Sequence, residues 1–186
     1  MSMWIFWVII ALVVIIVLWL IALYNRFVVL RNRIEGSWAQ VDVQLKKRYD
    51  LVPNLVETVK GYAKHEREVF EKVTEARSKA ISAQNVADQG EAENLLTGAL
   101  KSLFAVAEAY PELKANVNFL QLQEELSAIE NKIAYARQHF NDVVLAFNTQ
   151  RQKFPDNIVA GMMGLVARDY FEIEEAAREA PKVSFG

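Results

Sequence analysis

The sequence contains no cysteine, which excludes disulfide staples, thiol nucleophiles and thiolate-bound metals. Histidine occurs only at His65 and His139. A zinc-protease helix needs His-Glu-x-x-His, whereas His65-Glu66 is followed by Arg67-Glu68-Val69. A di-iron bundle needs Glu three residues before His on two helices, and Tyr62 and Ala136 hold those places. The closest glycines, Gly161 and Gly164, lie in Ala-Gly-Met-Met-Gly without the Lys-Ser/Thr of a phosphate loop. With 21 basic against 23 acidic residues, the chain lacks the basic excess of a nucleic-acid binder. These gaps predict a non-enzymatic protein with no catalytic, cofactor or metal site and no nucleic-acid partner.

Charge is missing altogether from residues 1–25, so every Lys, Arg, Asp and Glu lies at or beyond Arg26. Trp4 to Tyr24 reads WIFWVIIALVVIIVLWLIALY. A run of about 20 apolar helical residues crosses the roughly 30 Å hydrocarbon core of a bilayer. A cleaved signal peptide would carry a basic leader and a small-residue cleavage site. Met1-Ser2-Met3 and Ala22-Leu23-Tyr24 supply neither. A buried core helix is the other reading of an all-apolar segment. Against it, Trp4 and Trp7 at one end and Trp19 and Tyr24 at the other suit the two membrane interfaces. Arg26, Arg31 and Arg33 follow the run and no basic side chain precedes it. By the positive-inside rule this predicts a single-pass protein of the inner (plasma) membrane, N-terminus outside and C-terminal part cytoplasmic.

Beyond the run, apolar residues recur in steps of three or four from Phe27 through Ile34, Val41, Leu45, Val52 and Leu55 to Tyr62, a helical period. Pro53 predicts a kink or short break near residues 50–53, since its ring displaces a backbone hydrogen bond; helix then continues to about Ala83. Residues 85–90 read as a loop. A shorter helix follows from about Glu91 to Ala109 and ends at Tyr110-Pro111. The last long helix, capped by Asn116 or Asn118, carries Phe119, Leu122, Leu126, Ile129, Ile133, Ala136, Phe140, Val143 and Phe147 in alternating steps of three and four. Leu126, Ile129 and Ile133 are its expected core. The tail contributes a short apolar piece, Ile158 to Leu165, and a charged helical turn from about Asp169 to Ala180. The expectation is an all-α protein: an N-terminal transmembrane helix (1–25), an elongated antiparallel bundle of three to four long helices (26–154), and a tail with short helices (155–186).

The polar block Gln40, Asp42, Gln44, Lys47, Arg48, Asp50 and Asn54 has two readings. One is a solvated helix face; the other is a contact between subunits close to the membrane. Met162, Met163, Leu165 and Val166 either cover the end of the bundle or touch a membrane or partner, since exposed apolar pieces mark interaction sites.

Tyr24-Asn25, Leu30-Arg31-Asn32, the run WAQVDVQLKKRYDLVPNLV from Trp38 to Val56, Val59-Lys60-Gly61-Tyr62, and Tyr110 to Ala115 together resemble the LemA family. FLQLQEEL from Phe119, Ile133 to Arg137, Phe140-Asn141 and Tyr170-Phe171 extend the resemblance over nearly the whole chain. It implies a bacterial, membrane-anchored helical bundle, with relatives associated with magnetosome membrane formation and genes often lying near a membrane zinc protease. The expected function is a membrane scaffold that self-associates and organises or remodels the bilayer, its partners being lipid and further copies of itself. The alternative is an adaptor or regulator of a membrane protease or sensor, which calls for a stoichiometric protein partner.

Overall fold

A computed structural model describes residues 2–172, and its regular secondary structure over them is α-helix. Its helices are α1 (Ser2–Lys60), α2 (Arg67–Ser82), α3 (Val86–Glu108), α4 (Pro111–Lys114), α5 (Val117–Gln152) and α6 (Asp156–Met162). No strand occurs among the described residues. Two packed units form. One holds residues 2–39 and 139–168, the other 40–138 and 169–172. Both α1 and α5 contribute to each unit.

α1 runs through Pro53 without the expected break. The proline ring has no N–H for the carbonyl four residues earlier, which belongs to Tyr49. Arg77 of α2 fills the gap, its Nε donating to that carbonyl at 2.7 Å. A side chain from another helix thus replaces the missing amide. α1 then stops at Lys60, and a turn over 61–66 separates it from α2, where the sequence predicts helix to about Ala83.

The predicted loop at 85–90 is shorter and earlier, because Asn85 starts α3 directly. Its Oδ1 accepts from the Asp88 N–H at 2.8 Å and its Nδ2 donates to the Asp88 carboxylate at 2.6 Å. That capping satisfies an N–H that the first helical turn leaves open. Asn116 does the same for α5, accepting from Phe119 N at 3.0 Å. Pro111 occupies the first turn of α4, where a missing N–H costs nothing. The charged turn expected at 169–180 is not helical over Asp169 to Glu172, and its remainder lies outside the described residues.

In the first unit α1 and α5 run antiparallel. Phe27 meets Phe147 with ring centroids 6.3 Å apart, and Trp38 meets Phe140 at 5.3 Å. Edge-to-face pairs of this kind add to the burial of the rings themselves. Gly164, at φ +63°, closes α6. Its left-handed conformation lets Leu165 N reach Ala160 O at 3.0 Å, and a side chain there would be strained. The chain then returns to α5, where the Asn148 amide clasps the Arg168 backbone through two 2.9 Å hydrogen bonds.

The second unit packs α1, α2, α3 and α5 around Val41, Leu45, Val59, Val73, Leu96 and Leu103, all fully buried or nearly so. Leu126, Ile129 and Ile133 are buried in it as well.

Candidate functional site

Among the described residues, the most deeply buried charged pair lies in the second unit. Arg48 sits on the apolar stripe of α1, between Leu45 and Val52, and is 2% exposed. Glu93 occupies the matching position on α3, in the stripe Gln89, Glu93, Leu96, Leu100, and is 1% exposed. Steps of three and four carry both residues inward with their apolar neighbours. A buried charge has to be paired, and here the two find each other: Arg48 Nη1 donates to Glu93 Oε2 at 2.7 Å. Arg48 Nη2 donates to Thr97 Oγ1 at 2.8 Å and lies 2.8 Å from Glu130 Oε1 on α5.

The second Glu93 oxygen is also taken. The Tyr49 hydroxyl donates to Oε1, and Gln89 Nε2 donates to the same oxygen at 3.1 Å. Gln89 Nε2 further donates to the Tyr49 oxygen at 2.8 Å and to Ala80 O, at the end of α2, at 3.1 Å. With Arg77 on the Tyr49 carbonyl, one cluster therefore ties together α1, α2, α3 and α5. Arg137 on α5 adds a second guanidinium. It stacks over Phe171, 4.4 Å from the ring centroid, and donates to Glu172 O at 2.9 Å. Phe171 and Glu172 in turn lie against Gly90 of α3, where an added Cβ would stand 3.5 Å from Glu172 O.

The electrostatics suit holding rather than reacting. Burial, then the hydrogen bond to Glu93 and that carboxylate's charge, push the Tyr49 hydroxyl well above its ordinary 10.0; Gln89 and Arg48 oppose the shift. The phenol therefore keeps its proton at neutral pH. Burial lowers the Arg137 pKa below that of a free guanidinium, with Glu93 opposing and Arg48 reinforcing the shift. Arg48 offers Nη1 and Nη2 to partners already in place while its Nε is buried without one, and of the two carboxylates only Glu130 reaches solvent. Among the described residues no group of three or more His, Asp or Glu stands where it could hold a metal ion. His65 and His139 are both exposed.

The polar block of α1 divides accordingly. Arg48 belongs to the interior and leaves the surface patch predicted from sequence, because its position on the stripe outweighs its charge once Glu93 is there. Gln44 is half-buried. Gln40, Asp42, Lys47, Asp50 and Asn54 are exposed. Gln40, Lys47 and Asn54 follow one another at seven-residue spacing with Asp50 between, so they share a stripe. Asp42, two residues past Gln40, faces roughly the opposite side. Arg26, Arg31 and Arg33 are exposed, Arg31 pairing with Glu35 at 3.3 Å. Met162 and Val166 are exposed, Met163 and Leu165 half-buried. Sequence reasoning missed Tyr49, Gln89, Glu93, Thr97, Arg77 and Glu130 as partners. The available signal was a charged residue at an apolar-stripe position on each of two helices.

Arg48→Met leaves Glu93 buried without its cation and should cost about 3–5 kcal/mol of unfolding free energy. Adding Glu93→Leu to that variant should recover part of the loss, and a double-mutant cycle in denaturant reads the coupling. Strictly additive losses would show that the pair is not coupled.

Tyr49 makes stability fall at alkaline pH. Below its ordinary pKa of 10.0 the phenol is neutral in both states. Above it the unfolded chain gives up the proton while the folded chain keeps it, so unfolding gains. Thermal melts at pH 9 and 11 should show a larger drop in Tm for the native protein than for Tyr49→Phe.

The sequence profile described as the LemA family matches residues 37–185. The chain is 24% identical over 187 residues to magnetosome protein MamQ 2 of Paramagnetospirillum magneticum, covering 87% of this chain and 68% of the relative. It is 28% identical over 153 residues to protein LemA of Metamycoplasma hominis, covering 80% and 68%. With magnetosome protein MamQ of Magnetospirillum gryphiswaldense it shares 23% identity over 187 residues, covering 87% and 68%.

Proposed function

The chain belongs to the LemA family, and on that premise we propose that it is a non-enzymatic, membrane-anchored scaffold that self-associates and organises or remodels the bilayer. The observation that carries this reading is α1. Its side chains from Met3 to Ile21 are overwhelmingly apolar and exposed, in a helix long and apolar enough to cross a membrane. The same helix supplies Arg48 and Tyr49 to the buried cluster. Apolar surface on this scale requires a non-aqueous surrounding, and a bilayer provides it. The family relatives named as magnetosome proteins support a role at a membrane.

Self-association is assigned to the exposed stripe of α1. Gln40, Val43, Lys47, Asp50 and Asn54 follow one another in steps of three and four, the spacing of a helix–helix seam. Their side chains offer amides and charges of both signs, with Val43 as an apolar contact. Anchoring holds copies in one plane and one orientation, which raises their effective concentration. Where the stripe meets the same stripe of a second copy the contact gives a two-fold dimer, and where it meets a different face the copies close into rings or run on as filaments.

Native mass determination of the full chain in mild detergent should show a homo-oligomer, and Lys47→Glu or Val43→Asp should reduce it at unchanged helicity. A monomer over the whole concentration range would overturn the scaffold. A stoichiometric complex with another membrane protein would put an adaptor role in its place.

Arg26, Arg31 and Arg33 direct the helical units to the cytoplasm under the positive-inside rule. Protease added to spheroplasts should leave residues beyond 30 intact. Their digestion without lysis would reverse the orientation.

A further inference from the structure

The segment after α5 carries an apolar surface that the scaffold reading does not use. Phe154 is 80% exposed, Ile158 55%, Met162 79% and Val166 69%. Ile158 and Met162, four residues apart, share one face of α6, and Phe154 lies in the turn just before it. The opposite side of α6 is packed: Asp156, Val159 and Ala160 are buried. α6 therefore turns its inner face to the protein and a second apolar face outward.

The register of α1 and α5 places this surface. Phe147 lies beside Phe27, and the residue numbers of α5 rise as those of α1 fall. Gln152, five residues past Phe147, is about 7.5 Å further along, level with Ala22. That is the end of the apolar run. Leu23 is buried there, while Ile21 and Tyr24 on either side are exposed. The segment beginning at Lys153 thus starts where α1 leaves the hydrocarbon.

Charge fits the same surface. Between residues 143 and 168 the only acidic residue is Asp156, and it is buried. Lys153 and Arg168 are exposed and flank the segment in sequence, with the exposed Asp169 following Arg168. An apolar face flanked by cations is what an anionic lipid surface takes up, the apolar side chains entering the headgroup boundary.

We propose that residues 154–166 form a second membrane contact, laying Phe154, Ile158, Met162 and Val166 into the anionic face of the bilayer that α1 crosses. The proposal rests on the anchored reading of α1. It gives the protein a shallow, one-leaflet insertion beside its spanning helix.

The natural lack of cysteine makes the test direct. Full-length Leu12→Cys, His139→Cys and Met162→Cys proteins, each bearing one nitroxide, are reconstituted into phosphatidylglycerol-containing vesicles. Power-saturation measurements then compare collisions with oxygen, which enriches in lipid, and with a water-soluble nickel chelate. At Leu12 and Met162 oxygen should dominate, the Met162 label lying about 5–10 Å into the boundary; at His139 the chelate should dominate. A Met162 label as wet as the His139 label, while Leu12 reads lipid, would overturn the proposal and leave the anchor standing. So would a Met162 label shielded from both agents, which would mark a protein contact such as a second copy. A Leu12 label in water would overturn the anchor itself, and this contact with it. Equal depth at Met162 in purely zwitterionic vesicles would overturn the assignment of Lys153 and Arg168 to anionic headgroups.

Discussion

One guanidinium organises the second unit. Arg48 leaves α1 among aliphatic side chains and can be accommodated there only because Glu93 and Glu130 arrive from two other helices with Thr97 beside them. The pairing is directional in a way that apolar packing is not. Leucines on a helical stripe can slip by a turn and still find partners, whereas sliding α3 by one turn would move Glu93 about 5.4 Å along and leave its buried carboxylate without a cation, with Arg48 held by Glu130 alone. Such a pair adds little net stability compared with well-packed aliphatics. Its contribution is register, and in a unit built from regular three-and-four stripes register is what the apolar residues leave undetermined. Tyr49 and Gln89 extend the same constraint to α2.

Much of this architecture was legible in the chain. The stripes announced the helices, Asn116 was one of two caps offered for the start of α5, and the uncharged first 25 residues stood apart at once. Leu126, Ile129 and Ile133 lie buried on the stripe where periodicity puts them. What escaped were the features that depend on distant partners. Arg48 reads as a surface residue until Glu93, 45 positions later, is placed opposite it. Pro53 reads as a helix break because local rules assume that nothing replaces the lost amide, and its replacement, Arg77, belongs to another helix. Both misreadings have one cause: a residue's type was weighed without the non-local group that makes its position tolerable.

The functional reading divides along similar lines. An exposed apolar helix end, surface cations beside it and relatives named as magnetosome proteins all point toward the bilayer. The buried cluster points inward, with its donors and acceptors largely committed to one another. A protein arranged this way has its specificity in how it is held together and in what its surfaces adhere to.

The junction of Pro53 and Arg77 also sets how this part of α1 can come apart. An ordinary helix opens by fraying, one carbonyl at a time, and its amides exchange with solvent locally. Around Pro53 the ladder has a rung supplied from α2, so losing it means drawing Arg77 off the Tyr49 carbonyl. The Tyr49 side chain belongs to the cluster that also holds α3 and α5. Opening of the 49–57 stretch is thereby coupled to opening of its neighbours, in a single cooperative folding unit. The residue that would ordinarily make a helix pliable has here been turned into the point at which its motion is shared.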